Sequence, residues 1–459
     1  MLKELLGPDI QELIRDKAYT DLKDGISEWE APEVADLLLS LPEDEQPILF
    51  RLLPRQRAAE VFAYLPTEEQ AAFLQSFTAE NTRALLAELA PDDRTVLFGE
   101  LPAEVTQKLL TLLPPEELRQ ARQLLGYPEE SVGRLMTPEY VAIHPEWSIA
   151  KAIDHIRSHG KDAETVNIIY VVDSHGKLVD DLRLRKLILA DPSDAVASVM
   201  DHHFAALSAY DDREVAVKQM QKYDRVALPV TDSEGILLGI VTVDDILDVV
   251  QEETTEDIQK MAAVEALDEP YMQTGFFRMV KKRGGWLSLL FLGETLTAAA
   301  MGFFQSEIEK AVVLALFIPL IISSGGNSGS QAASLVIRAM ALEEIRLRDW
   351  WRVLRREIGA GAALGSVLGC IAMLQVLLWP NHEERYGEHF FLVGLTVSVS
   401  LVGVVLWGTL TGSMLPFILR RLGFDPAVSS APFVATLVDV TGLVIYFTAG
   451  LMILGGTLL

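Results

Sequence analysis

Five apolar runs, at roughly 286–305, 311–337, 358–379, 390–417 and 431–456, constrain this chain more than any other feature. Each is about 20 residues or longer, enough to cross a hydrocarbon core as a helix. Backbone polar groups in lipid must be satisfied inside the segment, so five membrane helices are the expected outcome. The remainder has a different character. Residues 1–275 carry 25 Lys and Arg against 53 Asp and Glu, whereas 276–459 carry 14 against 12. An acidic, water-facing part therefore precedes a membrane part. The single Cys370 excludes an internal disulfide framework and a cysteine metal cage. The opening MLKELLGPDIQELI is amphipathic and acidic, so no cleaved signal segment is expected.

The loops between the runs set an orientation. Arg278, Lys281, Lys282 and Arg283 precede the first run; Arg338, Arg346, Arg348, Arg352, Arg355 and Arg356 separate the second from the third; Arg420 and Arg421 separate the fourth from the fifth. Basic loops stay on the cytoplasmic side, which puts residues 1–285 in the cytoplasm and the C-terminus outside. The acid-rich QSEIEK and PNHEERYGEH loops then face outward.

Asp439 lies within the fifth run, and the only other interior acid of the five runs is Glu294 in LGETLTAAAMG. A carboxylate at that depth costs several kcal/mol unless compensated, and marks a functional site by default. No Lys, Arg or His lies inside any run, so the compensating charge is a proton, a helix dipole or an external cation. A protonated Asp439 bonded to Thr436 or Thr441 is the plain structural alternative. Without thiolate or imidazole, soft and borderline metals lack their preferred ligands, whereas carboxylate, hydroxyl and carbonyl oxygens suit Mg²⁺, Ca²⁺ or Mn²⁺. Mg²⁺ keeps much of its water and needs only one or two carboxylates. One Asp doubled by two-fold symmetry fits a hydrated Mg²⁺ on the axis.

Two further membrane features bear on a pathway. In the second run, Gly325, Gly326 and Gly329 are expected to break or thin the helix, while Asn327, Ser328, Ser330 and Gln331 bring polar groups to membrane depth. In the third, Gly361, Gly365 and Gly369 form a small-residue stripe for helix packing.

The acidic part contains two repeats. Leu-Pro or Ala-Pro phrases recur at Leu41, Leu53, Leu65, Ala90, Leu101 and Leu113, often followed by acids, and predict an array of short helices. After MTP at Met136 to Pro138, IIYVVDSHGKL (168–178) is echoed by ALPVTDSEGIL (227–237). Each copy reads as strand, turn, strand with flanking helices.

The MTP start, LPVTDSEGILLGIVTVDDILDVV and the doubled module resemble a tandem CBS (cystathionine-β-synthase) domain. With the helical array before it, and GGNSGSQAASLVIRA, LPFILRRLGFDPA and VATLVDVTGLVIYF after it, nearly the whole chain resembles MgtE, the bacterial Mg²⁺ channel family. The resemblance implies a multidomain membrane protein of the bacterial inner membrane. Its parts would be an all-α superhelical N domain (1–130), an α/β tandem CBS pair (131–198 and 199–250), a long connecting plug helix (251–276) and an α-helical five-span membrane domain (277–459). It also implies a homodimer with the pore between its membrane domains, Asp439 from each subunit binding hydrated Mg²⁺, and Asn327, Gln331, Thr436 and Ala431 as pore-lining candidates.

Further Mg²⁺ ligands implied by the family are Glu60 and Asp92 in the helical array, and Glu214, Asp224, Asp245 and Asp248 in the second CBS module. Glu253, Glu256 and Asp257 in the plug and Asp425 at the pore mouth complete the set. Val96 and Ala431 depart from the pattern, standing where the family has a second helical-domain acid and a pore-mouth Asn. The acidic charge supports the same picture independently, because a strongly negative soluble part repels itself unless cations sit between its pieces. Low cytoplasmic Mg²⁺ would let those pieces separate and the pore open; high Mg²⁺ would close it.

CBS modules often hold ribose with Thr-x-x-Asp, matched here by Thr242 and Asp245, so ATP is a candidate ligand of the second module. The first has Arg183 and Lys186 at those places. No P-loop or DKTG motif is present, and HEERYGEH lacks metalloprotease spacing, so no enzyme activity and no nucleic-acid partner are expected. The competing class is a divalent cation exchanger driven by H⁺ or Na⁺, with Asp439 and Glu294 as a proton relay. A membrane sensor that passes no ions leaves Asp439 and the polar second run without a role, and an anion channel lacks basic residues in its spans.

Overall fold

The computed structural model describes residues 2–42, 44–267, 271–272 and 274–458. The chain divides into two compact units, Met1–Gln251 and Glu252–Leu459.

In the first unit the Leu-Pro phrases set the helix boundaries. A residue before proline is pushed out of helical backbone, and Leu41, Leu53 and Leu101 end their helices at ψ of 153°, 142° and 149°. Pro54, Pro66, Pro102 and Pro114 then cap the next helices, where a missing N–H leaves no partner wanting. Leu41, Leu65, Leu101 and Leu113 are buried, so the same dipeptide both ends a helix and anchors its corner. The resulting array shares one apolar core, in which Phe50 meets Phe73 and Phe77 at ring separations of 5.3 and 5.5 Å.

The echoed segments become matching sheets. Strands Ala142–Ile143, Ile168–Val172 and Leu178–Arg183 form one, and Leu207–Ser208, Ala227–Thr231 and Leu237–Thr242 the other. In each, the first strand is parallel to the second and the second antiparallel to the third. The Asp-Ser-x-Gly turns explain the sequence echo. Asp173 accepts from the His175 and Lys177 N–H groups, Asp232 does the same for Glu234 and Ile236, and Gly176 and Gly235 take φ of +82° and +84°. Side chains other than glycine rarely adopt that backbone. Ile168, Tyr170, Ala227 and Ile240 bury a core shared by the two modules.

The plug expectation needs correction. A single helix runs from Val243, inside the second module, to Met261, well short of residue 276. It stops because Ala263 turns left-handed (φ +58°) and the Val264 N–H bonds back to the Gln259 carbonyl, a Schellman-type closure on alanine. Residues 262–267 follow without helix, and 268–270 and 273 of the expected plug lie outside the described residues.

Among the described residues the second unit has five helices long and apolar enough to cross a membrane: Phe276–Phe303, Val312–Ala341, Leu347–Leu378, Phe390–Arg421 and Ala431–Leu454. Several extend past the apolar runs through the basic clusters, with Arg355 lying 4.9 Å over the Trp351 ring. Within one chain the second to fifth spans pack together, while the first rests on the fifth and is otherwise exposed.

The glycines of the second span do not break it; Ile318–Ala341 is one helix. Their role is close approach. A Cβ on Gly325 would meet Val404 Cγ1 at 2.5 Å, one on Gly329 would meet the Gly408 carbonyl oxygen at 2.9 Å, and Gly412 presses on the Gly329 carbonyl in return. Ser328 and Thr409 hydroxyls bond across the same seam at 2.7 Å. The third-span stripe does the same against Leu406, Val402 and Ser398 of the fourth. We expect Gly412→Leu to leave hydropathy sufficient for insertion but to lower the melting temperature of the detergent-solubilised protein by many degrees, since overpacking against main chain exceeds the usual 1–3 kcal/mol or so. Gly302→Leu, with no atom near its Cβ position, is the control and should melt with the wild type.

Candidate functional sites

Asp439 sits half-buried on the fifth span, its Oδ1 over Gly326 of the second: a Cβ there would lie 3.7 Å away. The plain alternative for it meets a specific obstacle. Thr436 donates to the Pro432 carbonyl and Thr441 to that of Leu437, while Thr441 also accepts from Trp407 Nε1 at 2.8 Å. Among the described residues no hydrogen bond reaches the Asp439 carboxylate. The polar residues of the second span divide in two. Ser328 and Ser330 are absorbed into contacts with Thr409 and the Ala431 carbonyl, whereas Ser323, Asn327 and Gln331, four residues apart, form an exposed stripe on one face. Ala431 accepts the Ser330 bond through its main-chain carbonyl.

The end of the connecting helix reaches the loop that leads into the fifth span. Lys260 Nζ lies 2.5 Å from Glu256 Oε1 and 2.8 Å from Asp425 Oδ2, and Asp425 uses its other oxygen to cap the Ala427 N–H. Burial works against the lysine charge, but its hydrogen bonds to Asp425 and Glu256 outweigh that and hold its pKa above the ordinary value. Sequence reasoning named both acids and missed the lysine. Glu253 and Asp257 lie half-buried on the same helix.

In the first unit, acids from three segments converge. Asp92 and Asp93 open the Pro91–Glu100 helix; Glu139 and Glu164 come from the first CBS module; Asp244, Asp245 and Asp248 lie in the first turns of the Val243–Met261 helix. Asp92 is 6% exposed and its Oδ1 has no hydrogen-bond partner. Burial, then Asp245, Asp93 and Glu164, raise its pKa well above the usual carboxylate range. Asp93 is pushed up to about 6 by burial and by Asp244 and Asp248. Asp245 is pushed up to about 7 by burial, against the hydrogen bonds from Thr242 and with Asp244 and Asp93 adding to it. The neighbouring buried cation, Arg94, is committed elsewhere: it donates to the Leu86 and Leu89 carbonyls and to Gln120. Among the described residues no three carboxylates, imidazoles or thiolates stand close enough to hold an ion directly. Carboxylates spaced around water suit a hydrated cation.

The other acids named from sequence stand apart. Glu60 pairs with Arg57 at 2.7 Å and Glu214 with Lys218 at 2.7 Å, both helical-spacing pairs. Asp224 caps its helix in left-handed backbone and lines a cavity of about 640 Å³ with Arg183, Arg185, Arg225 and Asn167. That basic cavity contrasts with the surroundings of Thr242 and Asp245. There the Thr242 hydroxyl donates to Asp245 at 2.9 Å, and the neighbouring acids Asp92, Asp93 and Asp244 offer no cation to a phosphate chain.

Comparison with known proteins agrees with this architecture. Residues 29–130 match the family model "MgtE intracellular N domain", 132–192 and 196–252 match "CBS domain", and 318–449 match "MgtE: Divalent cation transporter". The magnesium transporter MgtE of Thermus thermophilus is 42% identical over 335 residues, 73% of this chain and 72% of that one; its namesake in Enterococcus faecalis is 33% identical over 338 residues, again 73% and 72%. A crystal structure of the cytosolic domain of the Mg²⁺ channel MgtE in complex with ATP superposes with a TM-score of 0.51 at 36% identity, covering 53% of this chain and all of that one. The soluble part of a magnesium transporter gives 0.52 at 28% identity, covering 55% and 99%. On that similarity, the chain belongs to the MgtE family of magnesium transporters, whose role is transport and not catalysis.

Proposed function

We propose that this protein is a gradient-driven, Mg²⁺-selective channel for uptake, closed by Mg²⁺ binding on its cytoplasmic side. The observation that carries the reading is Asp439, an acid inside a span with no hydrogen-bonded partner among the described residues and no basic residue inside any of the five apolar runs to neutralise it. The exposed stripe of Ser323, Asn327 and Gln331 supports a homodimer, because a second copy would turn these polar faces, with Thr436 and Asp439, toward a shared watery path. The chain then spans the bacterial inner membrane with its N-terminus in the cytoplasm and its C-terminus outside.

Closure is read from the two acidic assemblies. Mg²⁺ among Asp92, Asp245, Asp248 and their neighbours would draw the helical array onto the CBS pair. A second ion population at Glu253, Glu256, Asp257 and Asp425 would hold the connecting helix at the mouth, where Lys260 supplies a tethered cation. Each ion favours the closed state by its differential affinity. Glu60, Glu214 and Asp224, each exposed, would serve as outlying ligands. The ATP named with the solved relative is assigned to the cavity lined by Arg183, Arg185 and Arg225, and not to Thr242 and Asp245.

The test is Mg²⁺ entry into dye-loaded proteoliposomes of the full chain. Flux should need no H⁺ or Na⁺ gradient and should stop at high Mg²⁺ on the face bearing the soluble unit. Flux that follows a counter-ion gradient makes the protein an exchanger.

A further inference from the structure

The first span carries an acid that the proposed path does not use. Glu294 lies about ten residues past Gly284, where the basic flank ends; at 1.5 Å per residue this is about half of the roughly 30 Å hydrocarbon core. Ionisable groups at that depth face protein or water, not lipid.

The packing of the first span on the fifth gives this depth a partner. A Cβ on Gly293 would meet Thr436 Cγ2 at 2.8 Å, and the rings of Phe304 and Phe447 stack at 4.9 Å and 18°. Both pairs have the same sequence offset, so the helices run in step and Glu294 comes within about one turn of Asp439. Thr297, one turn after Glu294, is the only buried residue of this helix, and its Oγ1 has no hydrogen-bond partner. A threonine hydroxyl in a helix can usually bond to a carbonyl of the preceding turn. Thr297 is thus packed against the span that carries Asp439, and Glu294, exposed in the single chain, stands one turn before it.

We propose that Glu294 supplies a second carboxylate, and Thr297 an uncharged oxygen, to the cation site at Asp439, for a hydrated divalent ion. This rests on the channel reading. Two acids at one depth raise the attraction for a divalent over a monovalent ion, because a doubly charged ion gains twice from each carboxylate.

The experiment uses full-length protein in proteoliposomes with Mg²⁺ and K⁺ flux read in parallel. Glu294→Gln should raise the Mg²⁺ concentration for half-maximal flux about tenfold or let K⁺ through, Glu294→Asp should restore most of the wild-type behaviour, and Thr297→Val should shift the response in the same direction as Glu294→Gln. A merely structural glutamate would leave Mg²⁺ against K⁺ selectivity unmoved in the folded fraction. If the wild type conducts, Asp439→Ala fails and Glu294→Gln matches the wild type within twofold, this inference falls while the channel reading stands. If the wild type passes no Mg²⁺, both fall. Should Glu294→Gln not fold, an unchanged Thr297→Val overturns the proposal alone.

Discussion

Asp439→Ala should abolish Mg²⁺ flux, to about tenfold or more below wild type, while leaving the solubilised protein as thermostable as before or more so. These two results follow from one geometry. The carboxylate lies beside Gly326, its threonine neighbours donate to their own helix's carbonyls, and no basic side chain lies inside any of the five apolar runs. A carboxylate held in the bilayer without a protein partner costs stability, so its removal relieves the fold. On the channel reading the same carboxylate would draw a hydrated divalent ion to that depth, so its removal would take the path's charge away. Asp439→Asn should behave as the alanine does, because shape without charge does not attract the ion. Flux in proteoliposomes and thermal aggregation in detergent check the pair. Wild-type flux in Asp439→Ala would remove the observation on which the channel reading stands. Lost flux with lost stability would mean a structural aspartate.

How much of this was legible from sequence depended on how local the cause was. Leu41, Leu53 and Leu101 end helices because of the proline beside them, and the Asp-Ser-x-Gly turns close through their own Asp173 and Asp232. Both are visible in a few consecutive letters. Gly325 and Gly329 misled because glycine is a weak helix former. Their fate was decided by the fourth span, whose Gly408 and Gly412 lie far away in sequence. The end of the connecting helix was illegible for a related reason: the left-handed cap falls on Ala263, not on glycine. Among the sites, Asp92, Asp245 and Asp248 lie in one acidic assembly, together with Asp93, Asp244, Glu139 and Glu164, which sequence reasoning did not name. The doublets Asp92-Asp93 and Asp244-Asp245 were the available signal. Conversely, the spacings of Arg57 with Glu60 and Glu214 with Lys218 already marked those acids as locally paired.

The acid assembly of the first unit makes the stability of the soluble half depend on pH in an unusual direction. Asp93 and Asp245 have folded-state pKa values of about 6 and about 7, above the ordinary 3.8. A carboxyl raised on folding contributes fully below its unfolded pKa and loses that contribution as pH rises through the folded one. In chelator, the unfolding temperature of the first unit within the full chain should therefore fall between about pH 4 and pH 7. Asp93 is open to solvent on one side, so screening leaves it the smaller share of this loss, and the more deeply set Asp245 carries the larger. Asp245 shares neighbours with it, so the two do not simply add. Millimolar Mg²⁺ should restore the lost stability at pH 8 and do little at pH 5, where protons already occupy the carboxyls. Asp93→Asn and Asp245→Asn should flatten the pH profile and weaken the Mg²⁺ rescue together, since one set of charges causes both. A flat profile in the wild type would mean that the acids do not meet in solution. A steep profile without Mg²⁺ rescue would separate the electrostatic strain, which the geometry requires, from the ion that the gating reading places there.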